Sequence, residues 1–513
     1  MPHIGKNLLP VIHFLLPPLG FGMIITWLWL TFLNGPLIYL VAHPYFNPQF
    51  LILFFLIAHS LSFLSMRKIM LSKALQTNIS PLCIASATAM AAAPLLLKLW
   101  PTFLPYGIVQ LATGLTIILA AIGTTVLICF WGLLFSSYTA DKVALFYGIS
   151  IVISTAFLLA GNQLASNHLF FLASVIPLLS LLFLWGHLPS SYDVTPEENK
   201  IVPNPIPLKL VALIILFYTV GGLMHKLVYL SAPADRELFW MTNIIYSVVT
   251  LGAGLYIFIF PNLDLRMLYR PVLPLIFAGF VLFPFLMNTD NTLHYILLQA
   301  GFALFDLYTW VLFIYLASHH KHPLYVISRG MFFLTFSIFF SDFSVTLILS
   351  FVALSASKIQ IISFVAASIL LLGSFVFQDE AESFAGWTYA AEIIALPLTI
   401  ITTGDSEHTA TQPPMVSLEK APPDHIATYL QQCQLTPREQ EIVHHLLIGR
   451  NNPYIRNELN ISDNTLKTHL RNIYRKTEVA NRQKLLARIH DMSANQSLDN
   501  YADILPKSSP TSS

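Results

Sequence analysis

Two groups of residues in this 513-residue chain have the types and spacing to do chemistry. The first lies near the C-terminus. Leu466, Leu470 and Ile473 fall at i, i+4 and i+7, a spacing that predicts one apolar face of a helix. The other face would carry Asn464, Thr465, Lys467, Thr468, Arg471 and Arg475. Amide, hydroxyl, ammonium and guanidinium donors on one side of a helix suit the phosphates and base edges of double-stranded DNA. The second group is acidic and sits where acids are rare. Asp306 lies near the middle of one long apolar run, with Trp310 one helical turn on, and Asp342 lies deep in the next. Ionisable residues at that depth are costly and face the bundle interior. They imply a ligand or proton site, with Tyr308 and Trp310 as aromatic walls. The plainer alternative is a hydrogen-bonded helix–helix contact, or for Asp342 a position near the end of its run.

Other constellations point elsewhere. His319, His320 and His322 cluster in a loop; clustered imidazoles suit zinc or nickel, but a weakly basic loop is the simpler reading. His225-Lys226 reads as the snorkelling end of a span. Cys83, Cys129 and Cys433 form no CxxC pair, so no disulfide framework or zinc knuckle is expected. There is no Gly-rich phosphate loop, nucleophile elbow or catalytic triad pattern. The chain is therefore not expected to be an enzyme, and no metal or cofactor is implied.

The elements that must position these groups follow from composition. Hydrophobic residues make up 55% of the chain and charged residues only 10%, with a mean hydropathy of +0.67. A soluble domain carries about 25% charged residues, so a cytosolic, fibrous or disordered protein is excluded. Runs of about 20 apolar residues span a bilayer as helices, and twelve are expected. The first six cover about 11–33, 49–66, 79–99, 104–136, 143–161 and 168–187. A polar loop, 188–207, leads to the second six at about 208–231, 238–260, 271–288, 292–317, 324–350 and 358–377. The first run is too long for a signal peptide and lacks a cleavage site. The fold class is all-α: a polytopic membrane helix bundle of twelve spans, arranged 6 + 6, followed by a small four-helix domain. Residues 1–378 form the bundle and 379–430 a juxtamembrane segment and linker, with a possible interfacial helix over 383–401. The small domain covers 431–496 and a disordered tail 497–513.

Charge sets the expected orientation. With the N-terminus in the cytoplasm, inside segments hold Lys6, Arg67, Lys68, Lys73, Lys142, Lys200, Lys209, Arg266, Arg270, Lys321 and Arg329. Outside segments hold only Lys98, Lys226, Arg236 and Lys358. This follows the positive-inside rule, and an even span count returns the C-terminus to the cytoplasm. Residues 435–490 carry 10 Lys/Arg against 5 Asp/Glu, so a basic module is joined to a remainder of the chain that carries the other 17 basic and 21 acidic residues.

Basic pairs recur after the second span (Arg67, Lys68) and the eighth (Arg266, Arg270), and the two halves match in span number. In this the first 370 or so residues resemble the major facilitator superfamily. The loop after the second span reads Ser65-Met66-Arg67-Lys68-Ile69-Met70, which departs from that family's glycine- and Asp-Arg-bearing motif. The basic module carries denser signals. Thr436-Pro437-Arg438-Glu439 is a capping box with proline at the first helical position. Ile442, Val443, Leu446 and Leu447 form an apolar stripe ending at Gly449. A second helix starts at Asn452-Pro453 with Ile455 and Leu459 inside, Asn460 makes the turn, Ser462 caps the third helix, and a fourth begins near Asn481. Leu435 to Glu439, Ile455 to Leu459, Ile461-Ser462, Thr465 to Leu470, Asn472-Ile473, Arg475-Lys476 and Val479 to Arg482 together resemble a LuxR/GerE-type DNA-binding domain. Pro453, Arg456 and Asn460 stand where that family usually has lysine, alanine and glycine. The resemblance implies that the third helix reads DNA and that Val479, Arg482 and Leu485 border a homodimer contact.

The combined expectation is a one-component regulator in the bacterial inner (plasma) membrane, both termini cytoplasmic, binding DNA under control of an unknown small-molecule ligand. The alternative is a secondary transporter carrying a regulatory domain.

Overall fold

In hydrocarbon no water is available to the backbone, so each spanning segment must pair its own N–H and C=O groups, and helices result. The computed structural model describes most of residues 3–373 and scattered residues from Leu430 to Ile489. Segments 34–36, 43–45, 71–78, 190–205, 232–235 and 261–265, with a few single positions, lie outside the description, as do 374–429 and 490–513. The expected juxtamembrane helix, linker and tail fall in that undescribed part. The chain divides into two compact units, Met1–Ile393 and Ile394–Ser513.

The first unit contains a helix for every expected span. They are α1 (His3–Leu28), α2 (Pro48–Met70), α3 (Ser80–Phe103), α4 (Tyr106–Phe135), α5 (Ala140–Gly161) and α6 (Ser166–Trp185). After the central loop come α7 (Leu208–Ser231), α8 (Arg236–Ile259), α9 (Val272–Leu286), α10 (Leu293–Ser318), α11 (Pro323–Phe351) and α12 (Ser357–Gly373). Among the described residues, nine of these are long and apolar enough to cross a membrane, and the apolar stretches of α7, α9 and α12 are shorter. Three features were not anticipated: a π-helical turn, Trp29–Leu33, that extends α1, and two short helices, Leu37–Ala42 and Arg266–Tyr269. Internal prolines such as Pro94, Pro177 and Pro284 leave their helices unbroken, as neighbouring helices in a bundle allow.

The packing repeats with an offset of six helices. In the first half α1 packs on α5, α2 on α4 and α3 on α4; in the second, α7 packs on α11, α8 on α10 and α9 on α10. The halves meet through α5 against α8 and α2 against α11, two contacts that the same offset exchanges. Lipid gives helices no hydrophobic reason to associate, so small residues and interhelical hydrogen bonds must hold such contacts. Both are present. A Cβ on Gly254 of α8 would lie 2.5 Å from the Ala144 carbonyl oxygen of α5, and one on Gly148 of α5 would lie 2.9 Å from the Leu251 Cα of α8. Thr155 and Ser247 share a hydrogen bond of 2.5 Å across the same contact. At the other contact Ser60 Oγ donates to Thr335 Oγ1 at 3.1 Å.

The second unit has its own small core. Leu435, Ile442, Val443, Leu446, Ile455, Leu466, Leu470, Ile473, Leu485 and Ile489 are buried together. Helix α13 (Pro437–Leu447) and helix α14 (Asp463–Lys476) pack on each other within it.

Gly254→Ala should destabilise the bundle by about 1–3 kcal/mol, because the new methyl meets backbone that cannot move aside. Gly252, on the same helix, has open space around its Cα, so Gly252→Ala should leave stability unchanged. Thermal unfolding of the two variants in detergent checks the difference; equal midpoints would refute the close approach.

Candidate functional site: a DNA interface and a mid-span carboxylate

Helix α14 is a polar helix held by one apolar edge. Leu466, Leu470, Ile473 and Thr477 point into the module core. Thr465, Thr468, Arg471 and Arg475 are exposed. Positions 464, 468, 471 and 475 follow the same i, i+4, i+7, i+11 spacing as the buried set, displaced by two residues, which on a helix turns them roughly to the opposite side. Asn464 and Lys467 lie within α14, but their side chains are outside the description. So does Arg482, along with Pro453, Asn460 and Ser462.

The start of α13 closes as a capping box. The Thr436 N–H donates to Glu439 Oε2 at 2.9 Å, and the Glu439 N–H donates to Thr436 Oγ1 at 3.3 Å. Two further contacts were not legible in the sequence. Lys476, the last residue of α14, donates from Nζ to Glu439 Oε2 at 2.7 Å and to the Gln434 carbonyl at 3.0 Å. Arg438 donates to the Leu459 carbonyl, beside the turn that leads into α14, and pairs with Glu441 at 2.6 Å. The α14 helix is thus anchored at its end to the cap of α13. Glu439 is only 3% exposed. Burial opposes its ionisation, but Lys476 and the Thr436 donors prevail and hold its carboxyl below the ordinary glutamate range.

One expected contact needs correction. Leu485 is completely buried in the module core, so its side chain cannot present a dimer surface. Val479 is half-buried at the edge of that core, its N–H bonded to the Tyr474 carbonyl at 3.0 Å.

The mid-span carboxylate lies in the first unit. Asp306 falls 13 residues after the start of α10 and 12 before its end, Leu293 and Ser318. Tyr218 of α7 and Tyr246 of α8 each donate a hydroxyl hydrogen bond to it, one to each carboxylate oxygen. Hydrogen bonds to a charged group contribute roughly 1.5–3 kcal/mol each. Together they offset part of the cost, about 2.5–3.5 kcal/mol, of a charge at the centre of a span, and burial remains the larger influence. Tyr147 of α5 interacts with Tyr246 and with the Asp306 charge. Trp310 stacks on Tyr147 at 5.8 Å and on Phe21 of α1 at 4.7 Å. Trp29, the first residue of the π-helical turn, meets Tyr246 edge-on at 6.0 Å. The cluster therefore draws on α1 and α5 from one half and α7, α8 and α10 from the other.

Asp306 and Trp310 belong to this cluster as expected; Tyr308 and Asp342 do not. Tyr308 faces Tyr269, at 5.4 Å between ring centroids, because two residues along a helix turn the side chain away from Asp306. Asp342 of α11 accepts a hydrogen bond from the Gln49 amide of α2 and lies near Tyr39. It joins the two halves at the α2–α11 contact and is a helix–helix contact. In the loop before α11, His319 Nδ1 lies 2.9 Å from the Tyr315 carbonyl, and His320 Nδ1 accepts the His322 N–H at 3.0 Å. Partial burial, and then the His322 charge, hold His320 below the ordinary histidine range. Among the described residues no group of three or more His, Cys, Asp or Glu side chains could hold a metal ion.

Comparison with known proteins identifies both units. Residues 433–488 match the family described as bacterial regulatory proteins, luxR family. Within it the chain is similar to a monoamine regulon transcriptional regulator of Klebsiella aerogenes, 47% identical over 64 residues, or 12% of this chain and 28% of that protein. The chain thus spans little more than a quarter of that curated relative, and the likeness is confined to the module. The helix bundle is similar to solved structures of transporters. A bacterial homologue of the iron transporter ferroportin, in an outward-facing state, superposes with a TM-score of 0.54 at 16% identity, over 72% of this chain and 98% of that one. The major facilitator superfamily proton:xylose symporter XylE superposes with a TM-score of 0.51 at 10% identity, over 73% and 98%. At these identities the likeness is one of fold. The chain therefore combines a bundle with a major-facilitator-like fold and a C-terminal domain that matches the luxR family.

Glu439→Ala should cost the module about 1–3 kcal/mol, since it removes a cap and strands Lys476. The depressed Glu439 carboxyl contributes stability that is present above the ordinary value of 4.5 and lost as pH falls through its lower folded value. Urea unfolding of residues 394–513 at pH 7 and pH 3 checks both: the gap between wild type and variant should narrow at pH 3. A gap equal at both pH values would exclude the ionised cap.

Proposed function

We propose that this chain is a one-component, membrane-bound transcription regulator. In this reading the luxR-type module binds an operator and the major-facilitator-like bundle governs its occupancy. The observation that carries the reading is the joining, in one chain, of a helix-turn-helix domain to a transporter-type bundle with a charged group at the junction of its halves. The bias of the basic residues supports a cytoplasmic position for both termini, and hence for the module, at the bacterial inner membrane. The DNA-contacting residues are Asn464, Thr465, Lys467, Thr468, Arg471 and Arg475. The exposure of the described members, Thr465, Thr468, Arg471 and Arg475, supports that assignment.

The module acts as a dimer, because two recognition helices must reach successive major grooves about 34–36 Å apart. Val479 and Arg482 border the contact. Residues 379–430 act as a tether. The bundle then regulates by controlling how many modules are free to pair, which changes their effective concentration. A ligand can do this only by binding two bundle states with different affinity, and Asp306 is the residue that distinguishes them. The likeness of the bundle to transporters favours a second reading, a transporter with an attached regulatory domain. Uptake by sealed vesicles would establish that reading.

Arg471→Ala should weaken operator binding by about 1–3 kcal/mol, and wild-type affinity should fall steeply with salt as phosphate contacts release counterions. Electrophoretic titration with an operator recovered by genome-wide occupancy measures both. A folded module that binds no duplex at low salt would remove the regulator reading.

Asp306→Asn should change the output of a target-promoter reporter, or its response to growth conditions, at equal membrane abundance. Output identical to wild type would reduce Asp306 to a packing residue.

A further inference from the structure

Resting on the reading that the bundle senses a ligand, we infer that Asp306 and its aromatic neighbours bind a small organic cation, an amine or quaternary ammonium bearing an apolar group. Charge gives the first reason. Asp306 meets hydroxyl donors from Tyr218 and Tyr246, and among the described residues no lysine or arginine pairs with it. Its hydrogen bonds stabilise the negative charge without neutralising it. Burial opposes that charge, the two tyrosine donors counter only part of the opposition, and a mobile cation would supply the missing counter-charge.

The walls give the second reason. Tyr246 and Tyr147 lie beside the acid, and Trp29 and Trp310 pack on those two rings in turn; the faces of such rings attract cations. A metal ion or ammonium would want more oxygen ligands than one carboxylate and phenols supply. An organic cation shields its charge with carbon and gains from ring faces. An anion would meet like charge, and a sugar would need more polar partners than these rings offer.

Access gives the third. Asp306, Tyr147, Tyr246 and Trp29 all keep some accessible surface, although they lie deep in the bundle. The Trp310 indole N–H, in a side chain 3% exposed, has no hydrogen-bond partner within the protein. An unspent donor in an aromatic wall beside a partly accessible acid is a polar contact that a guest could use. Trp29 opens a π-helical turn, a distortion frequent at functional sites. Because the walls come from both halves, a bound cation would bridge them.

The experiment uses the full chain in detergent, with benzyltrimethylammonium as probe and benzyl alcohol and phenylacetate as neutral and anionic controls. Tryptophan fluorescence and thermal midpoint are read together. The expected result is saturable quenching and stabilisation by the cation alone. Asp306→Asn should raise the apparent Kd at least tenfold. Trp310→Phe, a milder change that keeps an aromatic wall, should raise it about threefold, with each variant's shift read against its own cation-free midpoint. Should Asp306→Asn fail to fold, the Trp310 variant and the two control ligands still decide. Equal binding of the three probes, no saturable binding of the cation to 10 mM on the scale of weak ligands, or unchanged affinity in a folded Asp306→Asn protein would overturn the inference. A pH-dependent midpoint with no preference for the cation would assign a proton site and overturn it equally. Neither readout involves DNA, so cation binding without a promoter response would reject the regulator and leave this site standing.

Discussion

The contact between α5 and α8 depends on two missing side chains. Where Gly148 and Gly254 face the opposite backbone, the helices approach closely enough for carbonyl and Cα to meet. In hydrocarbon, contact area alone draws no two helices together. The junction of the halves is therefore set by shape and by a few hydrogen bonds, Thr155–Ser247 here and Ser60–Thr335 and Gln49–Asp342 at the contact related by the six-helix offset. Such a junction can be re-formed in another geometry at small cost, which suits a bundle that must occupy more than one state.

The acidic cluster is continuous with that junction. Tyr147 adjoins Gly148 on α5, and Tyr246 lies two turns before Gly254 on α8. Asp306 holds Tyr246 directly and feels Tyr147 across the halves. A change at the carboxylate thus reaches the close-packed contact through neighbouring residues of the same two helices. The bundle needs no long relay between a mid-span charge and the relative placement of its halves.

Much of this was readable from the residues. Twelve spans followed from run length, because the bilayer sets a fixed thickness and the sequence has to match it. The capping box, the inner faces of α13 and α14 and the placement of Asp306 followed from local spacing. What escaped was contact through space. Gln49 and Asp342 are 293 residues apart, Lys476 and Glu439 37 apart; nothing in local periodicity links them. For Asp342 depth alone left a sensing residue and a helix–helix contact both open, and its hydrogen bond from Gln49 of α2 favours the contact. Tyr308 was misassigned for a geometric reason, since proximity in sequence is not proximity on a helix. Leu485 looked like a surface residue because the resemblance supplies a role, whereas burial depends on how the fourth helix packs. The π-helical turn at Trp29 has no compositional mark.

The clasp between Glu439 and Lys476 also bears on how the module would be dismantled. It joins the cap of the first helix to the last residue of the helix with the exposed Arg471 and Arg475, so neither end keeps its partner once the chain between them is cut. A protease that nicks the turn around Leu459 would also free the Arg438 guanidinium from the carbonyl it holds. With its core shared by all helices, the module has few ways to lose one part and keep the rest. Clipping would dismantle the module as a unit rather than piece by piece.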